Sequence, residues 1–152
     1  NMLDITRLAS ELGVQRNKIY QYLEFLQGVF FLNLIPKYSK SIDRSVAGGK
    51  KVYFSDNGLL SIVGKVSSGQ QFENAIANQL KPYGELSFYN KRNTSEIDFI
   101  VNKEIALEVK VQGIEKDILR LHKNATEIGI NKYRLVSKNF INHKLTMIPM
   151  SI

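Results

Sequence analysis

The spacing of apolar residues in the first third of the chain predicts two helices and then two strands. Apolar residues three or four positions apart form one face of each helix, namely Ile5, Leu8, Ala9 and Leu12, and then Ile19, Tyr22, Leu23 and Leu26. Gly13 and Val14 interrupt the pattern between the two helices. Residues 29–36 and 51–54 are rich in β-branched and aromatic residues, and they predict strands on either side of a basic, Gly-rich loop.

A short helix, a Gly-containing turn and a second helix, followed by two strands, resemble a winged helix. Two amphipathic helices joined by a turn also occur in other packings, and winged helices serve as protein–protein modules as well as DNA-binding ones. For DNA binding, Arg and Lys suit phosphates, and Asn and Gln suit base edges. The residues expected to contact DNA lie on the second helix and beside the wing: Arg16, Asn17, Lys18, Gln21, Lys37, Lys40 and Arg44.

The second half of the chain alternates helical and strand patterns in a regular order. Helices are predicted over residues 71–81 and 115–128, which are followed by Pro82 and Gly129. Strands are predicted over 86–90, 96–101, 105–111 and 132–137, with 145–150 as a further candidate. The order α-β-β-β-α-β indicates an α/β sandwich. The expected fold class is therefore α+β, with a winged-helix-like domain over 1–66 and a second domain over 67–152.

Composition and charge narrow the function classes. Hydrophobic residues make up 43% of the chain, enough for a core, and the absence of cysteine excludes disulfides, zinc–thiolate sites and thiol nucleophiles. A net charge of +7 favours a polyanionic partner such as DNA. No apolar run approaches the roughly 20 residues of a membrane helix, and no signal peptide opens the chain. We therefore expect a cytoplasmic protein with no membrane partner.

The two strands over 96–101 and 105–111 carry charged residues in an otherwise apolar setting. Strand alternation puts apolar residues on one face of each strand, namely Ile97, Phe99 and Val101, and Ile105, Leu107 and Val109. A three-residue loop pairs these two apolar faces, whereas a two-residue loop would pair apolar with polar residues. The same register puts Asp98 opposite Glu108 and Glu96 opposite Lys110. Like charges that face each other destabilise a sheet, so the pair of Asp98 and Glu108 indicates a site.

Two converging carboxylates beside a lysine suit a hard divalent cation such as Mg²⁺ or Mn²⁺. Mg²⁺ prefers oxygen ligands, often one or two carboxylates together with phosphate and water. The metal would lower the pKa of bound water, and Lys110 would position the attacking water or stabilise developing charge. The alternative is that these residues are ordinary solvated charges on the open face of an antiparallel sheet.

The same residues resemble the PD-(D/E)XK nuclease superfamily, whose core has the order α-β-β-β-α-β. The resemblance covers residues 70–137, and Ile97 stands where the proline that names the motif would be, although many members lack that proline. It implies that Asp98, Glu108 and Glu73 are metal ligands, and that these three and Lys110 are catalytic in phosphodiester hydrolysis. The fold also includes degenerate binders and accessory domains, so a non-catalytic module that binds DNA or protein remains an alternative.

Nearly the whole chain is similar to the C-terminal region of prokaryotic AAA-type ATPases, in which a winged helix precedes a nuclease-like domain of unknown function. The similar segments are LASELGVQRNKIYQYLEFL, KVYFSDNGLL, FENAIANQL, EIDFIV and ALEVK. The resemblance implies an ATPase core upstream of this chain. The chain would then be the DNA-processing or regulatory part of that ATPase. We expect no ATP binding by the chain itself, because Leu59 and Val66 replace the Gly and Ser or Thr that a P-loop at Gly64-Lys65 needs.

Overall fold

A computed structural model describes residues 2–40, 49–63, 65–91 and 94–139, and the backbone of residues 146 and 147. Within these residues the fold is mixed α/β. The helices are α1 (Ile5–Leu12), α2 (Arg16–Gly28), α3 (Asn57–Val63), α4 (Ser68–Leu80), the 3₁₀ helix Lys81–Tyr83 and α5 (Glu115–Glu127). The strands are β1 (Leu32–Pro36), β2 (Lys50–Phe54), β3 (Leu86–Lys91), β4 (Ser95–Val101), β5 (Ile105–Lys110), β6 (Lys132–Ser137) and β7 (Thr146–Met147).

The two helices and two strands predicted for the first half are present, although β1 begins at Leu32 instead of residue 29, and the helix α3 follows them. Asp4 caps α1 by accepting a hydrogen bond from the backbone N–H of Arg7, and Gly13 ends the helix in the left-handed region at φ 65°. Strands β1 and β2 form an antiparallel pair in which Leu34 lies opposite Val52. The loop that was predicted to form the wing, with Arg44, lies outside the described residues.

The second half forms a five-stranded sheet in the order β3-β4-β5-β6-β7. Strands β3, β4 and β5 are antiparallel neighbours, and β6 pairs in parallel with β5 because α5 carries the chain across the sheet. The observed order of α4, β3, β4, β5, α5 and β6 confirms the predicted order of elements. Helices α4 and α5 pack on opposite faces of this sheet, each over its own apolar cluster.

The strand pair β1–β2 packs on the α4 side of the five-stranded sheet. Ile35 of β1 and Tyr53 of β2 belong to the same apolar cluster as Phe88 and Phe99, and the rings of Tyr53 and Phe99 are 5.4 Å apart. Past the end of β1, the backbone N–H of Tyr38 donates to the carbonyl oxygen of Phe88 at 2.6 Å. This packing brings one face of β2 against the acidic part of β4.

Helix α4 is attached to β2 by the buried side chain of Asn74. Its amide oxygen accepts from the backbone N–H of Phe54 at 2.8 Å, and its amide nitrogen donates to the carbonyl oxygen of Phe54 at 2.9 Å. Asn78, one turn later, donates to the same carbonyl oxygen at 2.9 Å. These bonds satisfy backbone groups of β2 and place the neighbouring Glu73 beside that strand.

The predicted pairing of β4 and β5 holds near the loop and fails further along. Val101 pairs with Ile105 and Phe99 with Leu107, as predicted, but the ladder ends there. On the other side of β4, a bulge sets two residues, Asp98 and Phe99, against the single Phe88 of β3.

The bulge changes the face to which the first part of β4 points. Ile97 lies in the α5-side cluster with Ile100, whereas Phe99 and Val109 lie in the α4-side cluster. The prediction that Ile97 shares a face with Phe99 and opposes Val109 is therefore wrong, because one extra residue reverses the alternation that the prediction assumed.

Candidate functional site

The centre of the candidate site is an ammonium group surrounded by three carboxylates. Lys51 of β2 is only 5% exposed. Its Nζ lies 2.9 Å from Oε1 of Glu96, 3.5 Å from Oε1 of Glu73 and 3.6 Å from Oδ1 of Asp98. It also lies 5.4 Å from the centre of the Phe88 ring. One lysine therefore joins the first sheet, α4 and β4 electrostatically.

Asp98 takes the place of a backbone partner where β4 and β5 separate. Its Oδ2 accepts a hydrogen bond from the backbone N–H of Val109 at 2.8 Å. Asp98 is buried, and its other oxygen, Oδ1, faces Lys51. The bond to Val109 fixes the orientation of the carboxylate and turns Oδ1 toward Lys51.

The environment raises the pKa of Asp98 from its ordinary value to about 7. Burial is the largest cause, and the negative charges of Glu108 and Glu73 raise the pKa further, whereas Lys51 and the N–H of Val109 lower it. The fold therefore disfavours the ionised form of Asp98 relative to the protonated form. A second cation near Asp98 would stabilise its ionised form.

Glu108 of β5 is buried and has two cations on one oxygen. Its Oε1 lies 2.8 Å from Nζ of Lys110 and 3.2 Å from Nη2 of Arg120, a residue of α5. Its Oε2 is buried and has no hydrogen-bond partner among the described residues. A buried carboxylate oxygen is costly without a partner, so Oε2 is a ready ligand atom for water or a cation.

Glu73 is held on the other side of Lys51. Its Oε1 accepts a hydrogen bond from the hydroxyl group of Tyr53 at 2.6 Å. Burial and the neighbouring carboxylates raise the pKa of Tyr53, so this hydroxyl keeps its proton and stays a donor. Glu73 therefore makes its observed contacts with Tyr53 and Lys51, both from β2.

Asp98 and Glu108 each supply an oxygen atom of the kind that binds a divalent cation. Oδ1 of Asp98, which faces Lys51, and Oε2 of Glu108, which has no hydrogen-bond partner among the described residues, are the hard ligands that Mg²⁺ and Mn²⁺ prefer, and two carboxylates with water and phosphate are a common Mg²⁺ set. Among the residues that the structure describes, no group of three or more acidic, His or Cys side chains has the arrangement of a metal site. The three predicted metal ligands, Glu73, Asp98 and Glu108, therefore do not form such a group in this structure.

The structure brings the four residues predicted to be catalytic to one region, but with different partners from those predicted. Glu96 pairs with Asn90 of β3 and binds Lys51, and the ladder between β4 and β5 ends at Phe99, so the predicted pair of Glu96 with Lys110 does not form. Lys110 lies beside Ser137 of β6 in the sheet, and its ammonium binds Glu108. The bulge in β4 explains why Glu96 has other partners, because it shifts the register of the β4 residues that precede Phe99.

The residues predicted to bind DNA fall into two groups. Those on α2 are exposed: Arg16, Asn17, Lys18 and Gln21. Lys37 is half-buried, and its backbone forms a parallel β-bridge with Phe88 of β3. The Nζ atom of Lys40 lies near Gly129, which follows α5. Lys37 thus lies against the second sheet, and the exposed Lys40 ends near α5. Among the predicted DNA-binding residues that the structure describes, those of α2 form an exposed polar helix surface.

Lys51 and Tyr53 were not predicted to be site residues, although one signal for them is present. In KVYF, Lys51 and Tyr53 are two positions apart and share a strand face, and Tyr53 is buried. A lysine on the buried face of a strand needs an acidic partner. Sequence alone indicates that need, but it does not identify the acids of α4 and β4 as the partners.

Comparison with known proteins gives a match to the first half of the chain. A domain of unknown function, DUF8612, matches residues 1–70. No curated protein and no solved structure matches the chain. In the described part of the chain, none of the helices is both long and apolar enough to cross a membrane.

Proposed function

We propose that the second half of this chain is a metal-dependent nuclease-like domain that hydrolyses phosphodiester bonds of DNA. The observation that carries the proposal is the pair of buried carboxylates at the point where β4 and β5 separate. Asp98 and Glu108 each keep one oxygen outside the hydrogen bonds of the sheet, and Lys110 lies on Glu108. The order α4-β3-β4-β5-α5-β6 supports the PD-(D/E)XK resemblance.

Asp98 and Glu108 would hold the cation, Mg²⁺ or Mn²⁺. When bound, the cation would neutralise phosphate charge and lower the pKa of a coordinated water. Asp98 is positioned for this role by the N–H of Val109, which leaves its carboxylate little freedom to rotate. The charge of Asp98 suits it as well, because a cation would offset the repulsion from Glu108 and Glu73.

Lys110 would stabilise the charge that develops on the phosphate, and Arg120 would orient the phosphate. Burial lowers the pKa of Lys110, but the charges of Glu108 and Asp98 outweigh burial and raise it above its ordinary value. Lys110 therefore stays protonated and serves as a hydrogen-bond donor rather than a base. The side chain of Arg120 is 54% exposed beside it and presents a planar donor group suited to phosphate.

A cleavage assay with matched variants tests the proposal. Supercoiled, linear and single-stranded DNA would be incubated with Mg²⁺ or Mn²⁺ and with one of four proteins. These are the wild type, the variants Asp98→Asn and Lys110→Met, and the control variant Lys132→Met. Lys132 is an exposed lysine that pairs with Glu104 at the start of β6. We expect the first two variants to lose roughly 100-fold or more of the rate and the control to keep it. Equal cleavage by all variants would assign the activity to a contaminant.

A second candidate is a module that binds DNA or protein without cleavage and regulates an ATPase. One observation favours it: each of Glu73, Asp98 and Glu108 already has a lysine ammonium within 3.6 Å. In this case the lysines would replace the cation and the site would be structural. DNA binding that is unchanged by a chelator, together with no cleavage under any condition above, would favour this candidate.

We also propose that the first half is a winged helix whose α2 contacts DNA. Arg16, Asn17 and Lys18 lie in the exposed first turn of α2, where side chains can reach a groove. Fluorescence anisotropy with labelled duplex DNA would test this role. Arg16→Ala with Lys18→Ala should weaken binding and reduce its salt dependence, whereas Arg7→Ala on α1 should have a smaller effect.

The relation to AAA-type ATPases remains part of the same proposal. It is supported by the series of motifs from LASELG to ALEVK across the chain. Reading the coding sequence upstream of this segment tests it directly. A P-loop and a Walker-B acid in the same open reading frame are expected, and their absence there would contradict the assignment.

A further inference from the structure

Lys51 lies where the acidic side chains of the site meet, yet it comes from the other sheet. Its strand, β2, pairs with β1, and its side chain crosses to Glu73 of α4 and to Glu96 and Asp98 of β4. Three carboxylates around one ammonium carry more negative charge than that ammonium neutralises. With these carboxylates ionised, the group of four side chains keeps a net negative charge.

Lys51 contacts the oxygen of Asp98 that would bind a metal ion. Oδ2 of Asp98 already accepts a hydrogen bond from the N–H of Val109, so Oδ1 is the less engaged oxygen, and it lies 3.6 Å from Nζ of Lys51. A positive charge at this distance repels any cation bound to Oδ1. Because Lys51 is buried, water screens this repulsion poorly.

We propose that Lys51 is an internal competitor for the divalent cation, so that the position of strand β2 controls how well Asp98 and Glu108 bind metal. This inference rests on the proposed metal site of the nuclease-like domain and adds a regulation to it. With Lys51 seated between the carboxylates, the site has low affinity for the cation. With Lys51 withdrawn, the same carboxylates bind it more tightly.

Several contacts hold Lys51 in the competing position. The N–H of Leu3 donates to the carbonyl oxygen of Lys50 at 2.9 Å, and Met2 forms an antiparallel bridge with Lys51 itself. Further along the same edge of β2, the backbone of Phe54 is bound to Asn74 of α4. Any change in the first half of the chain that shifts β2 would therefore move the ammonium relative to Asp98.

The test measures Mn²⁺ binding by calorimetry on the whole chain, without DNA, for wild type and three variants. Lys51→Met removes the charge and keeps the apolar stem, Lys51→Arg keeps the charge, and Lys50→Met removes a charge from the opposite face of the same strand. We expect Lys51→Met to bind Mn²⁺ about tenfold or more tightly than wild type. The other two variants should bind like wild type.

A second readout is thermal stability, because removing Lys51 leaves repelling carboxylates in the fold. Lys51→Met should melt below wild type in a chelator, and Mn²⁺ should raise its melting temperature more than it raises that of wild type. If Lys51→Met does not fold, the double variant Lys51→Met/Glu96→Gln removes one charge of each sign and takes its place. In either background, adding Asp98→Asn should abolish the gain in affinity.

The outcomes separate this inference from the proposed function. Affinity for Mn²⁺ that is unchanged or weaker in Lys51→Met overturns the competition, even if wild type cleaves DNA. A gain in affinity that survives Asp98→Asn overturns it as well, because the ion is then bound elsewhere. A gain that depends on Asp98 supports the competition, even if no variant cleaves DNA and the catalytic proposal fails.

Discussion

The carboxylate of Asp98 accepts a hydrogen bond from the backbone N–H of Val109, at 2.8 Å, where the ladder between β4 and β5 has ended. A side chain thus replaces the backbone acceptor that a continued ladder would supply. The bond holds the two strands together across the opening and orients Asp98 toward Lys51. Close to this point in the sheet, Oε2 of Glu108 is buried and has no hydrogen-bond partner among the described residues.

Replacing Asp98 tests how much this bond contributes. Asp98→Ala removes the acceptor and leaves the buried N–H of Val109 without its partner, which costs about 1–3 kcal/mol of unfolding free energy. Asp98→Asn keeps an acceptor oxygen and should lose less. Urea unfolding of both variants in a chelator measures the difference. If the two variants are equally destabilised, the bond to Val109 is not the reason.

The raised pKa of Asp98 predicts a pH dependence of stability. The pKa is 3.8 ordinarily and about 7 in the fold. Between about pH 4 and pH 7 the folded state therefore holds a proton that the unfolded state has released, so this group's contribution to stability falls as the pH rises. The slope is roughly 1.4 kcal/mol per pH unit at most, and the contribution is level above that window.

The Asp98→Asn variant isolates this effect, because its amide does not titrate. The difference in unfolding free energy between wild type and Asp98→Asn should fall from pH 4 to pH 7 and then stay constant, as measured by urea unfolding in a chelator. A difference that is flat across this range would mean that Asp98 keeps its ordinary pKa in the fold.

Tyr53→Phe should destabilise the protein by about 1.5–3 kcal/mol, because it removes a buried hydrogen bond to the charged carboxylate of Glu73. Thermal or urea unfolding measures the loss. Tyr83→Phe is the matched control, since Tyr83 is 75% exposed and the same hydroxyl deletion should there change stability by less than about 0.5 kcal/mol. Equal effects at both positions would contradict the role of Tyr53.

Asn74→Ala should cost about 2–3 kcal/mol, because both peptide groups of Phe54 that bind Asn74 lose that partner. Gln71→Ala, at an exposed position of the same helix, controls for the change in helix propensity. Urea unfolding gives both values. We further expect Asn74→Ala to disturb the contact between Lys51 and Glu73. A change in the affinity of the protein for Mn²⁺ would detect this disturbance.

Much of the fold is determined by local patterns in the sequence. The period of apolar residues places α1, α2, α4 and α5, and the loop after Val101 sets the first pairs of β4 with β5. These features depend on residues close together in the chain, and local spacing therefore predicts them. The acids of the candidate site, Asp98 and Glu108, stand out for the same reason, as charges in apolar strands.

Only the tertiary structure decided what those acids contact. The bulge at Asp98 and Phe99 reverses the alternation of β4, and a pattern of period two contains no sign of one extra residue. Lys51 reaches Asp98 from 47 positions away in the chain, in another sheet, because Tyr53 and Ile35 pack into the core under α4. The sequence by itself determined which residues carry the charge. The packing of the two sheets decided which of those charges meet, because contacts between distant segments depend on the whole fold.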